Sequence, residues 1–183
     1  MSATQMTING KTYYKYITDR DFIKVPITEE MRRVAYKNAE VAKNFNNTFM
    51  SFDRRKQGFL GEQVFKSVFP EALPTHGNYH YDFIFKGMTW EVKTKVCIPP
   101  RLHHNCSVYG YNPNQQSDLL VFIFVEKGDN PQNAWIVGYT RKTDFDNNCV
   151  FVKKGSELQA GLLARTDTWN VLVNKLYPMK NFL

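Results

Sequence analysis

Between His80 and Val96, apolar and polar residues alternate on either side of Lys86-Gly87. Aromatic and β-branched runs flanking a two-residue turn predict a β-hairpin. With Lys86 and Gly87 as the turn, Phe85 faces Met88, and counting outward pairs Phe83 with Trp90, Asp82 with Glu91 and Tyr81 with Val92. Side chains alternate between faces along a strand, so Tyr81, Phe83, Trp90 and Val92 collect on one face. His80, Asp82, Ile84, Glu91, Lys93 and Lys95 collect on the other. A slip of one residue would mix the acids with the aromatics. Lys-Gly is not the favoured pair for such a turn, so a bulged three-residue loop with a local shift of pairing is the alternative.

Elsewhere the pattern changes. From Asp118 to Val125 apolar residues follow one another without alternation, which predicts a central strand covered on both faces. Gly128 to Pro131 reads as a turn, and Ala134 to Tyr139 as a further strand. Helical spacing of Met31, Ala35, Ala39 and Ala42 predicts a helix from a Thr28 N-cap to about Phe45, with Glu29 and Glu30 at the positive end of its dipole. A polar break over 44–53 and the run Arg54-Arg55-Lys56 precede a second helix, about Gln57 to Phe69, stopped by Pro70. The polar stretch Thr140 to Asn148 has room for a short helix before a strand at Cys149 to Lys153, a turn at Lys153 to Gly155, and an alternating tail with Trp169, Val171 and Val173. The first 25 residues read as an irregular arm or a short edge strand, and 97–117 as a long irregular loop. These elements predict an α/β fold, a mixed central β-sheet flanked by helices. They divide the chain into an arm, 1–27, and one domain, 28–183, with its core at about 57–178.

Composition narrows the class. A chain of 183 residues, 43% hydrophobic and 15% aromatic, can build one proper core and is short for two. A net charge of +7 and a pI near 9.3 point to a polyanionic partner, nucleic acid before membrane surface. Met1 to Lys11 has no apolar run after a basic start, and Leu119 to Val125 falls far short of the roughly 20 residues of a membrane helix. The expectation is a soluble, cytoplasmic chain that does not enter the membrane. Cys97, Cys106 and Cys149 are odd in number and unpaired in spacing, as for free thiols. Cys97, His103, His104 and Cys106 include zinc-ligating types, at a spacing that matches no familiar finger. Motifs for nucleotide hydrolysis, dinucleotide binding, zinc proteolysis and the esterase elbow are absent.

Two places carry candidate chemistry. Opposed carboxylates at Asp82 and Glu91 cost roughly 0.2–1 kcal/mol by repulsion, which a hard divalent cation with oxygen ligands would remove. Lys93 projects onto the same face as Glu91, where it can hold a water or steady a phosphoryl oxygen. On the second helix, Glu62 shares a stripe with Phe59, Phe65 and Phe69. An ionised acid there must be paired, protonated or metal-bound unless it lies at the stripe's edge, solvated beside Lys66.

Asp82, an eight-residue gap, then Glu91-Val92-Lys93 resembles the core of the PD-(D/E)xK nucleases, the restriction-endonuclease-like superfamily, with Tyr81 where the motif's Pro often stands. Gly58-Phe59-Leu60-Gly61-Glu62 is similar to the acid-bearing helix that precedes the hairpin in many members. The resemblance implies a restriction-endonuclease-like core acting on DNA with Mg²⁺, or Mn²⁺ in its place. By this comparison Asp82, Glu91 and the Val92 carbonyl hold the metal, Glu62 is a third acid, and Lys93 orients the attacking water. The family often has a helix in 97–117; by residue type Arg101, the paired histidines, Tyr109 and Tyr111 of that loop can contact phosphates or stack on bases, the alternative being an ordinary surface loop. Cutting both strands implies two active sites and hence a homo-oligomer, a dimer or higher. The expected activity is a metal-dependent endonuclease hydrolysing DNA phosphodiester bonds. The alternative is an inactive nucleic-acid-binding module on the same fold.

Overall fold

The computed structural model describes residues 3–8, 11–17, 21–42, 51–75, 80–159 and 162–183. The chain opens with three strands, β1 (Ala3–Ile8), β2 (Lys11–Ile17) and β3 (Asp21–Pro26), paired antiparallel in sequence. The stretch read as an irregular arm or a short edge strand forms these three strands, all part of the main sheet with β1 at its edge. Phe22, Ile23 and Val25 are buried among the core residues.

Helix α1 (Glu29–Ala42) begins as expected, with Thr28 Oγ1 accepting from the Met31 N–H at 3.2 Å. The part of the expected helix beyond Ala42 lies outside the described residues. Helix α2 (Phe52–Val68) starts five residues earlier than Gln57. The Ser51 hydroxyl caps it by accepting from the Arg54 N–H, so Arg54, Arg55 and Lys56 lie within the helix rather than ahead of it. A basic run is compatible with a helix, and the capping serine is the stronger start signal.

Strands β4 (Leu73–Pro74), β5 (Phe83–Phe85) and β6 (Met88–Cys97) follow. The β5–β6 turn is the two-residue form, since Phe85 pairs with Met88 and Phe83 with Trp90. Lys86 and Gly87 both have positive φ, 48° and 72°, as a type I′ turn requires. Strand β7 (Asn105–Tyr109) lies inside the segment read as an irregular loop, and no helix occurs between Cys97 and Leu119. Next come β8 (Leu119–Glu126), β9 (Asn133–Arg141), α3 (Lys142–Asn148), β10 (Val150–Val152), β11 (Glu157–Gln159), β12 (Leu162–Leu163) and β13 (Thr168–Leu172), then two 3₁₀ turns.

The main sheet is mixed, in the order β1-β2-β3-β9-β8-β6-β5-β4, with β6 and β8 parallel and its other pairs antiparallel. A small sheet, β10-β13-β7, forms a third layer. The unbroken apolar run of β8 feeds both gaps. Leu119, Val121, Ile123 and Val125 pack with Leu60, Val64, Phe65 and Val68 of α2. Leu120, Phe122 and Phe124 pack with Cys106, Val108, Val171 and Phe145. The chain is thus a mixed α/β protein, and among the described residues no helix is long and apolar enough to cross a membrane.

Candidate active site

Phe65 organises the hairpin end of α2. Its ring lies within 5.1–5.6 Å of those of Phe83 and Trp90, and 5.0 Å from Phe69. This aromatic packing holds α2 against the base of the hairpin. Trp90 and Val92 face the helix, so alternation turns Glu91, Lys93 and Lys95 to the opposite face of β6. Lys95 shows this directly: it donates to the Asn105 carbonyl of β7 at 2.7 Å and lies over the Phe124 ring.

The ladder between β5 and β6 stops at Phe83. The expected pairs Asp82–Glu91 and Tyr81–Val92 are not formed, because the Asp82 N–H donates to the Trp90 carbonyl at 2.9 Å and the strand turns out of register. Asp82 Oδ2 instead accepts the Val92 N–H at 2.7 Å. A carboxylate has taken the place of a backbone carbonyl, which fixes it in the plane of the sheet just beyond the end of β5. A strand residue's N–H and C=O point the same way, so the Val92 carbonyl opens toward this same edge. Thr75, which carries no sequence signal, holds the turn: its N–H donates to the Asp82 carbonyl at 2.9 Å and its hydroxyl to the Tyr81 carbonyl at 2.6 Å.

Glu62 on α2, Asp82 just beyond β5 and Glu91 on β6 lie near enough to interact electrostatically. Burial pushes the Glu62 carboxyl well above the usual range, and the charges of Asp82 and Glu91 push it further. Burial and the Glu91 charge raise Asp82 to about 7, against the Val92 N–H bond and the Lys93 charge, which lower it. Lys66 does not solvate Glu62, since its ammonium donates to the Pro70 and Ala72 carbonyls, both at 2.6 Å. Lys93 pairs with Glu91 at 2.6 Å, with both side chains largely buried. One lysine faces three carboxyls, so full ionisation leaves the group strongly negative.

The donor set is all oxygen, which suits Mg²⁺ or Mn²⁺ rather than a softer ion. Among the described residues no three His, Cys, Asp or Glu side chains are arranged so as to hold a metal ion, and Lys93 engages Glu91 directly. The candidate zinc residues do not form a group either. Cys97 Sγ lies 3.8 Å from His104 Nδ1, but His104 Nδ1 also accepts the Arg101 N–H. Cys106 is fully buried in the second core, where burial pushes its thiol far up. Of the loop residues expected to meet nucleic acid, Tyr111 is bonded to Asp146 with Lys142 over its ring. Tyr109 and Arg101 stay exposed, Tyr109 beneath the Arg54 guanidinium.

No family model matches the chain, and comparison with curated proteins gives no match.

Proposed function

We propose that the chain is a metal-dependent endonuclease that hydrolyses DNA phosphodiester bonds on a restriction-endonuclease-like core. The observation that carries this reading is the frayed end of β5, where burial and the Glu91 charge raise the Asp82 carboxyl, burial and the charges of Asp82 and Glu91 raise the Glu62 carboxyl, and Lys93 pairs with Glu91. Folding alone gives no reason to concentrate buried carboxyls there, since each costs stability once ionised. The basic net charge of +7 supports a polyanionic substrate.

In this reading Asp82, Glu91 and the Val92 carbonyl would hold Mg²⁺ or Mn²⁺, with Glu62 as the further acid. The bound ion would supply Lewis acidity at the scissile phosphate. Asp82 is oriented by the Val92 N–H, so its second oxygen stays available. Lys93, released from Glu91, donates a hydrogen bond to the attacking water and offsets charge gathering on the phosphoryl oxygens.

The test is incubation with supercoiled plasmid, with and without Mg²⁺ or Mn²⁺, alongside Lys93→Ala. Metal-dependent nicking that falls at least about 100-fold in a folded Lys93→Ala variant supports the assignment. A second reading, a nucleic-acid-binding module without activity, is favoured by the closed Lys93–Glu91 pair. It predicts salt-dependent DNA binding with no cleavage under either metal.

A further inference from the structure

Two locally unfavourable choices meet one residue before Glu62. Gly61 is buried in the middle of α2, where glycine is a poor helix former. Thr94, on the helix-facing side of β6, buries its hydroxyl without a hydrogen-bond partner. The two residues touch. A Cβ on Gly61 would lie 2.0 Å from Thr94 Oγ1, 3.1 Å from its Cβ and 3.2 Å from its Cγ2. Gly58, one turn earlier, has nothing within 4 Å of such a Cβ, so crowding at Gly61 is specific to this crossing point. Sites that break local rules at matched positions are where a fold is serving something other than stability.

We propose that Gly61 and Thr94 form a spacer that sets the height of α2 over β6 and thereby positions Glu62 against Asp82 and Glu91. Neither residue is catalytic; both act through where they put the Glu62 carboxyl. The hydroxyl and methyl of Thr94 set the lower limit of approach, and the missing side chain of Gly61 permits that approach. The inference rests on the acidic site proposed above, though not on its cleaving DNA.

The test reads the Glu62 carboxyl in metal-free protein by carbon NMR across a pH titration, with nicking activity measured in parallel. Gly61→Ala places a methyl against Thr94 Oγ1, Cβ and Cγ2, and the spacer predicts that the helix lifts to make room. Its Glu62 midpoint is expected to fall by about one pH unit or more as the carboxyl leaves its neighbours and gains water, with at least about a tenfold loss of nicking. Adding Thr94→Ala to Gly61→Ala removes Oγ1 and Cγ2 and should recover at least part of both. Thr94→Ala alone lets the helix settle and should move the midpoint upward, so it decides the matter if Gly61→Ala does not fold. Val68→Ala, a core truncation farther along α2, should leave the midpoint unchanged and so controls for general loosening.

A wild-type midpoint in folded Gly61→Ala, or in Thr94→Ala, overturns the spacer. If the midpoints move as expected while the wild type cuts nothing, the spacer stands and the nuclease reading falls.

Discussion

Asp82→Asn should make the metal-free protein more stable, and by an amount that grows with pH. The folded protein holds the Asp82 proton up to about 7, against an ordinary value of 3.8. Between those values the folded state binds the proton that the unfolded chain has released, so stability falls as pH rises. At about 1.4 kcal/mol per pH unit, the cost approaches about 4 kcal/mol above pH 7, as an order of magnitude. Below pH 4 both states are protonated and the cost vanishes. Asparagine keeps an oxygen to accept the Val92 N–H, a bond of 2.7 Å in the wild type, and carries no charge for Glu91 to repel. Urea unfolding of both proteins at intervals from pH 4 to 8 would measure it. The two should agree within about 1 kcal/mol at pH 4 and diverge steadily to pH 7. A difference that stays flat across that window would refute the picture of Asp82 as an electrostatically strained acid.

The same strain should respond to ions and to its backbone supports. Mg²⁺ at pH 7.5 should raise the wild-type melting temperature in proportion to the logarithm of its concentration above Kd, and do much less in Asp82→Asn; equal shifts would place the effect elsewhere. Thr75→Val removes the hydroxyl that donates to the Tyr81 carbonyl and should cost about 1 kcal/mol in urea unfolding, with nicking reduced more than that loss of folded protein explains. Gly87→Ala meets no atom within 4 Å but must hold a φ of 72°, so a loss of about 1 kcal/mol by thermal unfolding would be purely conformational. Phe65→Ala, emptying the ring packed against Phe69, Phe83 and Trp90, should cost about 3–5 kcal/mol and is expected to loosen Glu62 and the hairpin together, which hydrogen exchange at the Val92 amide would report.

Short-range chemistry decided much of this protein from the sequence alone. The alternation around Lys86-Gly87 set the hairpin register, because a slip would have buried acids and exposed aromatics. The unbroken run from Leu119 to Val125 specified a strand covered on both faces, and the Thr28 cap and Pro70 marked one end of each long helix. Tertiary structure decided what local patterns leave open. The first 25 residues show little hydrophobic contrast, and β3 is a strand because β9 offers it an edge to pair with. Strand β7 lies hidden among prolines, histidines and asparagines, since its apolar residues Cys106 and Val108 find their cover on distant β8. At the candidate site the sequence named Glu62, Asp82, Glu91 and Lys93, yet its ladder rule opposed Asp82 to Glu91. In the fold the strand frays at Phe83 and the Asp82 carboxylate replaces a backbone acceptor, a substitution that depends on Thr75 holding the turn from across the loop. The spacing of the acids is likewise a tertiary quantity. It follows from how closely α2 approaches β6 at Gly61 and Thr94, residues 33 positions apart in sequence, and no pattern within either segment encodes that distance.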